Sequence, residues 1–252
     1  MKRILLLCSA LLLCAVSVSA QKEKPWTEWS EKEAMKMLTD SAWAQTQKEL
    51  TDTAGGSGGP AITTAAENRS NIGVVGKDAA ASGESGQNIG QKSQSLSMYY
   101  YVSFMSAKPV RQAFIRYLEV RHPETPAEKV AERRKFVDTD FSNYIVVTLR
   151  LEGSDKKKIG PAMQLLGAST PETLKDIAYL ERKDGKRLPL VDYRAPGPDG
   201  MGAKFIFSRT LDGQPFVDAN SGELRVYMEI NKTKLSRKFK VADMMYDGKL
   251  EY

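Results

Sequence analysis

The stretch from Asn143 to Glu152 limits the possible folds more than any other part of the chain. Its Ile145, Val147, Leu149 and Leu151 fall on one face of an extended backbone, and Tyr144, Val146, Thr148 and Arg150 fall on the other. Side chains alternate across a strand, so this pattern predicts a strand with one face wholly buried. Further short strands are expected after it, at Asp176 to Arg182, Arg187 to Tyr193, Ala203 to Arg209, Gly222 to Asn231 and Lys234 to Ala242. Asp184-Gly185 between the first two is a tight-hairpin signal. Leu224, Val226, Met228 and Ile230 alternate strictly, and Leu235, Phe239 and Val241 continue the pattern beyond a turn at Lys232-Thr233. Strands at intervals of roughly 8–12 residues predict an antiparallel immunoglobulin-like β-sandwich over about 143–252. The Cys–Trp–Cys signature of immunoglobulin domains is absent.

Upstream, Ser97 to Met105 reads as a strand apolar on both faces, its three tyrosines being packing residues or the wall of a ligand groove. Val110, Phe114, Tyr117, Leu118 and Arg121 recur at helical spacing, giving a helix from about Pro109 to Arg121. Thr125-Pro126 opens a second helix through Phe136. The fold class is therefore α+β, with one domain over 97–252 and a short helical segment ahead of the sandwich.

Residues 51–96 differ in composition. Gly55-Gly56-Ser57-Gly58-Gly59-Pro60 leads into Ala-, Ser-, Asn- and Gly-rich sequence with few large apolar residues, and such a segment buries too little to offset its ordering entropy. It is expected to be a disordered linker. Its glycines lack the strand-to-helix context of a phosphate loop. Residues 21–50 form a Trp-containing helical segment, started by a capping box of Ser30 with Glu33. Ala34, Met35, Met37, Leu38, Ala42 and Ala44 share about half the helical wheel while Trp43 points away. Either the helix breaks near Asp40-Ser41 or Trp43 contacts another surface. All three tryptophans, Trp26, Trp29 and Trp43, lie in this segment. They are the candidate partner-binding residues, because indole buries much area and keeps a polar handle. The alternative is that they are core of the chain's own β domain.

Lys2 and Arg3, an apolar run from Ile4 to Val16 and the small residues of Val18-Ser19-Ala20 read as a signal peptide over 1–20, cleaved after Ala20. The run is too short for a spanning helix, so no transmembrane segment is expected in the mature chain. Both cysteines, Cys8 and Cys14, lie in this leader. The mature protein then holds no disulfide and relies on its core. There are 37 basic and 31 acidic residues, and loss of Lys2 and Arg3 lowers the net charge of +6 to about +4. That is too mild to mark a nucleic-acid binder, and export removes the chain from most nucleic acid.

His122 is the single histidine. A hydrolytic triad needs a base next to a nucleophile, and no nucleophile-elbow motif occurs. With no cysteine left after cleavage, a zinc site is not expected either. Asp138 with Asp140, or Asp218, Asn220 and Glu223, supply oxygen ligands of the kind calcium takes, but both groups also read as ordinary turns. The Ala195–Gly202 loop is rich in turn formers and is a connector or a binding loop. No cofactor is implied.

Trp26-x-x-Trp29-Ser30-x-Lys32-Glu33-Ala34 with Asp40-Ser41-x-Trp43-Ala44 resembles the start of a group of uncharacterised exported bacterial proteins. Arg111-Gln112-Ala113-Phe114-Ile115 through Arg121-His122-Pro123-Glu124-Thr125-Pro126 is similar to the helical stretch of GWxTD-domain proteins, whose naming motif does not occur here. Neither resemblance implies an activity. The sequence points to a non-enzymatic binding or assembly module of the bacterial periplasm or cell envelope, whose partner is a protein or an envelope component. One alternative is a histidine-independent carboxylate hydrolase acting on envelope glycans, since paired acids can lie far apart in a chain. Another is a protein anchored to a partner or a membrane surface by its tryptophan helix.

Overall fold

The computed structural model describes residues 24–51, 62–64 and 96–252. The expected signal peptide and most of the expected linker lie outside the described residues. Ser30 caps α1 (Glu31–Thr39) in a full capping box: its hydroxyl accepts from the Glu33 N–H, and the Glu33 carboxylate accepts from the Ser30 N–H. The helix stops at Asp40, where the Ser41 hydroxyl donates to the Met37 carbonyl at 2.8 Å and accepts from the Trp43 N–H. From there the chain is extended as β1 (Ala44–Thr51) rather than helical, and β2 (Ile62–Thr64), within the expected linker, pairs with it.

The strands β3 (Leu96–Phe104), β4 (Tyr144–Gly153), β5 (Ala178–Arg182), β6 (Arg187–Arg194), β7 (Ala203–Ser208), β10 (Glu223–Ile230) and β11 (Thr233–Lys240) join the first two. The two-residue strands β8 (Thr210–Leu211) and β9 (Gln214–Pro215) pair separately, as do β12 (Met245–Tyr246) and β13 (Lys249–Leu250). Among the described residues the main sheet has nine antiparallel strands in the order β11-β10-β5-β6-β7-β4-β3-β1-β2. The helices and the large antiparallel sheet make the fold α+β. The two facing sheets of the expected sandwich are replaced by one continuous sheet curled towards a barrel. Strict alternation demands a buried face, and a sheet curled upon itself supplies one as well as a second sheet does.

The curl brings strands from opposite ends of the order together. Phe104 of β3 meets Phe239 of β11 edge-to-face at 4.9 Å. Gln45 and Gln47 of β1 donate their side-chain amides to the Lys238 and Lys234 carbonyls of β11 at 2.6 and 3.2 Å. Glutamine side chains thus bridge the seam. Arg237 faces the interior from β11 and donates to the Gln47 amide oxygen at 3.0 Å. The core fills the curl with Tyr100, Phe104, Ile145, Leu149, Phe205, Phe207, Leu180, Met228 and Phe239.

Both ends of the curl are closed. The helix α4 (Lys156–Ala168), capped by Asp155, buries Ala162 and Leu166, and the Tyr193 hydroxyl donates to the Leu166 carbonyl at 2.7 Å. At the other end Trp43, Phe216, Met244 and Tyr252 are buried. Glu251 holds that end together: its carboxylate accepts from the Lys108 N–H at 2.9 Å, and its carbonyl accepts from the Trp43 indole at 2.7 Å. Lys108 begins α2 (Lys108–Arg121), which is followed by α3 (Ala127–Arg134) and a 3-10 turn over Lys135–Asp138. Helices α1 and α2 pack on each other and lie on the outer surface of the sheet near β3. No described helix is long and apolar enough to cross a membrane.

Candidate functional site

The outward residues of β3 and β4 differ from those of the other strands because α1 and α2 lie over them. The register sets Ser103 opposite Thr148 and Tyr101 opposite Arg150. The two hydroxyls are buried and 2.7 Å apart. The Arg150 guanidinium lies 4.2 Å from the centre of the Tyr101 ring and also pairs with Glu152. These four side chains floor a cleft of about 70 Å³. Met35 and Leu38 of α1 form one wall, Phe114 and Tyr117 of α2 another, and Met105, Gly200 and Met201 complete it. On each helix the two residues are three apart, hence on one face.

Main-chain and charge contacts hold the walls in place. The Arg116 guanidinium donates to the Trp29 carbonyl at 2.7 Å, tying the approach to α1 onto α2. Arg121 pairs with Glu31 at 3.2 Å. The loop carrying Gly200 and Met201 is fixed by Asp199, which accepts from the Met201 N–H at 2.9 Å and from the Lys204 ammonium at 2.7 Å. Burial alone would raise the Asp199 pKa, but these two donors outweigh it and hold it below the usual range. Gly202 then passes so close to β4 that a Cβ there would lie 2.3 Å from the Leu149 carbonyl oxygen.

Burial lowers the Arg150 pKa, against the opposing pull of Tyr101 and Tyr117, and it raises that of Tyr101. An arginine stays charged even so, and its charge acts strongly where water is partly excluded. No aspartate or glutamate is among the described residues lining the cleft. The arrangement offers one cation, two hydroxyls and apolar or aromatic walls, which suits binding better than acid–base chemistry.

The three tryptophans separate. Trp43 is core, 6% exposed, with its ring edge-on to Tyr246. Trp26 is half-buried against Phe114, Ile115 and Val137, with the Arg134 guanidinium 5.7 Å from its ring. Trp29 is half-buried, donates its indole N–H to the Lys24 carbonyl, and lines a shallow depression of about 400 Å³ with Lys36, Met37 and Asp40. His122 is exposed, 3.2 Å from the Glu124 carboxylate. Asp138 pairs with Lys108, and Asp140 accepts from the N–H and hydroxyl of Ser142. Asp218 accepts from the Asn220 N–H and the Ser221 hydroxyl within its turn, and Glu223 pairs with Lys238.

Of the tyrosine run, Tyr100 is core, Tyr99 stacks on Tyr101, and Tyr101 alone lines the cleft. From sequence, Tyr101 and the Ala195–Gly202 loop read as packing and connector as readily as binding elements, and none of the three candidate tryptophans lines this cleft. Arg150 and Thr148 were visible only as the polar face of a strand, and Ser103, Met35 and Leu38 as ordinary strand and helix residues. Compared with known proteins, the chain matches no family model, no curated protein and no solved structure.

Proposed function

We propose that the protein is exported and acts as a non-enzymatic binding or assembly module of the bacterial periplasm or cell envelope, with the Tyr101–Arg150 cleft as its ligand seat. The observation that carries this reading is the enclosure of one desolvated guanidinium by Met35, Leu38, Phe114, Tyr117 and Met201. A half-buried arginine beside apolar walls, with Glu152 on its outer side, favours a ligand that presents an anion and an apolar group together. At about 70 Å³ the cleft falls well short of the ~300–1,000 Å³ of a drug-sized site. It therefore takes one end of a longer molecule, and a chain terminus with an apolar side chain beside its carboxylate has the right shape and charge. The hydrolase alternative requires two facing acids, and the described lining of this cleft carries no aspartate or glutamate.

The test is calorimetric titration with N-acetyl-phenylalanine and with its uncharged amide. The acid is expected to bind at least about tenfold more tightly than the amide, the value of one charge-assisted hydrogen bond. Arg150→Met keeps the apolar stem and should erase that preference, while Leu38→Trp should fill the cleft and abolish both titrations. No saturable binding of the acid, or a preference that survives Arg150→Met, would overturn the reading.

A further inference from the structure

A second groove lies away from the cleft, across the end of β5, the start of β10 and the end of β11. It has two parts, of about 590 and about 420 Å³, which share Arg182, Lys183 and Gly222 and so run into one another. Arg225, Lys238 and Lys240 line the first part, and Asp218, Asn220 and Ser221 line the second.

Its charges are unequally committed. Glu181 accepts from Arg187 at 2.7 Å and from Arg225, and Glu223 pairs with Lys238 at 2.9 Å. Asp184 is held by Arg182, whose other guanidinium nitrogen donates to the Phe216 carbonyl at 3.1 Å. Asp218 is engaged within its own turn. Among the described residues of the groove, Lys183 and Lys240 are exposed and make no direct ion pair, although Glu223 faces Lys240 across the two strands, and Asp218 meets only neutral donors. Arg182, Lys183, Arg225, Lys238 and Lys240 line the first part against Glu181 and Glu223, so its field is positive.

The chemistry of the walls narrows the occupant. No apolar side chain is among the described residues lining either part, so the groove has nothing to bury an acyl chain or a hydrophobic peptide side chain. The second part offers the Asn220 amide together with the carboxylate oxygens of Asp218 and Asp184, which can accept hydrogen bonds from hydroxyl groups. Gly222, at φ +70°, keeps the shared segment free of a side chain; a Cβ there would reach to 3.4 Å from the Lys183 Cδ. A ligand that brings acid groups to the lysines and hydroxyls to the turn satisfies both parts.

The geometry points to a binding site for a linear acidic polysaccharide, whose carboxylates sit at Lys183 and Lys240 and whose hydroxyls reach Asp218 and Asn220. This is a site additional to the cleft and independent of it.

The experiment titrates the whole protein with oligogalacturonate, using its fully methyl-esterified form, inorganic polyphosphate and phosphatidylglycerol vesicles as comparisons. Oligogalacturonate is expected to bind, to weaken as salt rises, and to lose its affinity on esterification. Lys183→Gln with Lys240→Gln should weaken it by about tenfold or more, and Asn220→Ala by about threefold. The Lys156→Gln with Lys157→Gln variant, altered on another surface, should bind as the parent does. Failure of oligogalacturonate to bind, binding untouched by the Lys183 and Lys240 changes, or an equal loss in the Lys156 and Lys157 control would overturn the proposal. Equal or tighter binding of polyphosphate would replace it with a general polyanion surface, and equal or tighter binding of the vesicles with a lipid one. All altered residues are exposed, and unchanged thermal unfolding would show that each variant folds.

Discussion

Over β3 and β4 the outer surface of the sheet carries α1 and α2, whereas over β10 and β11 the outward residues stay in contact with solvent. The burial patterns record the difference. In β10, Leu224, Val226, Met228 and Ile230 are buried and every residue between them is half-exposed. In β4, the five residues from Ile145 to Leu149 are all buried, although only Ile145, Val147 and Leu149 face the core. One sheet therefore contains two kinds of strand. Where a helix layer is added, the second face can hold a charge such as Arg150 in a partly dry setting; where it is bare, charges such as Lys238 and Glu223 pair in the open. Open pairs add little stability, so the bare side is free to vary its charges for binding.

The sharpest way to break this contrast is an aspartate introduced on both sides. Val146→Asp places a carboxylate on the covered face, where Val146 is 6% exposed, while Ser236→Asp places it on the exposed outer face of β11. Denaturant unfolding should show a loss of about 3–5 kcal/mol for the first and within about 0.5 kcal/mol for the second. A comparable loss for both would mean that the bare side is covered in solution.

Glycines sharpen the comparison with a smaller effect. Gly202 and Gly222 both have positive φ, +81° and +70°. Gly202→Ala also drives a methyl into the Leu149 carbonyl, whereas Gly222→Ala meets only the flexible Lys183 stem at 3.4 Å. The expected costs are about 2–4 and about 1 kcal/mol respectively. Equal midpoint shifts in unfolding would show that the loop over β4 moves aside.

The smallest effect is a pH dependence arising inside the curl. Burial pushes the Tyr100 phenol up to about 12, helped by the neighbouring Glu49 and opposed by a hydrogen bond with Thr233. The folded state thus keeps a proton that the unfolded chain gives up at about 10. This contribution to stability is complete below pH 10 and is lost as pH rises towards 12. Unfolding free energies measured across that window should fall less steeply for Tyr100→Phe than for the parent, and parallel slopes would assign the loss to other groups.

The legible part of the fold was the part governed by burial. The strands at β4, β10 and β11, the capping box at Ser30 and the helix at α2 all follow from apolar spacing or from a local hydrogen bond. The strand β1 escaped because its inward positions are Gln45, Gln47 and Glu49. The two glutamines cross a seam to the β11 backbone and Glu49 accepts from the Tyr100 hydroxyl, so none of the three enters an apolar core and no hydrophobic period records them. The choice between two sheets and one curled sheet is a question of partners, which alternation does not encode. The cleft was hidden for a similar reason: Arg150 becomes desolvated only once α1 docks, through contacts such as Arg116 with Trp29, 87 positions away in sequence.

The bond from the Trp43 indole to the Glu251 carbonyl joins residues 208 positions apart, and the seam adds pairs separated by 193 and 187. Forming such contacts demands closure of nearly the longest loops this chain contains, so acquisition of the native state should be slow for its size. During synthesis, β1 is complete long before β11 exists to receive its glutamines. Until then Gln45 and Gln47 keep that early segment polar, so the residues that later bridge the seam also let the growing chain wait in an open form.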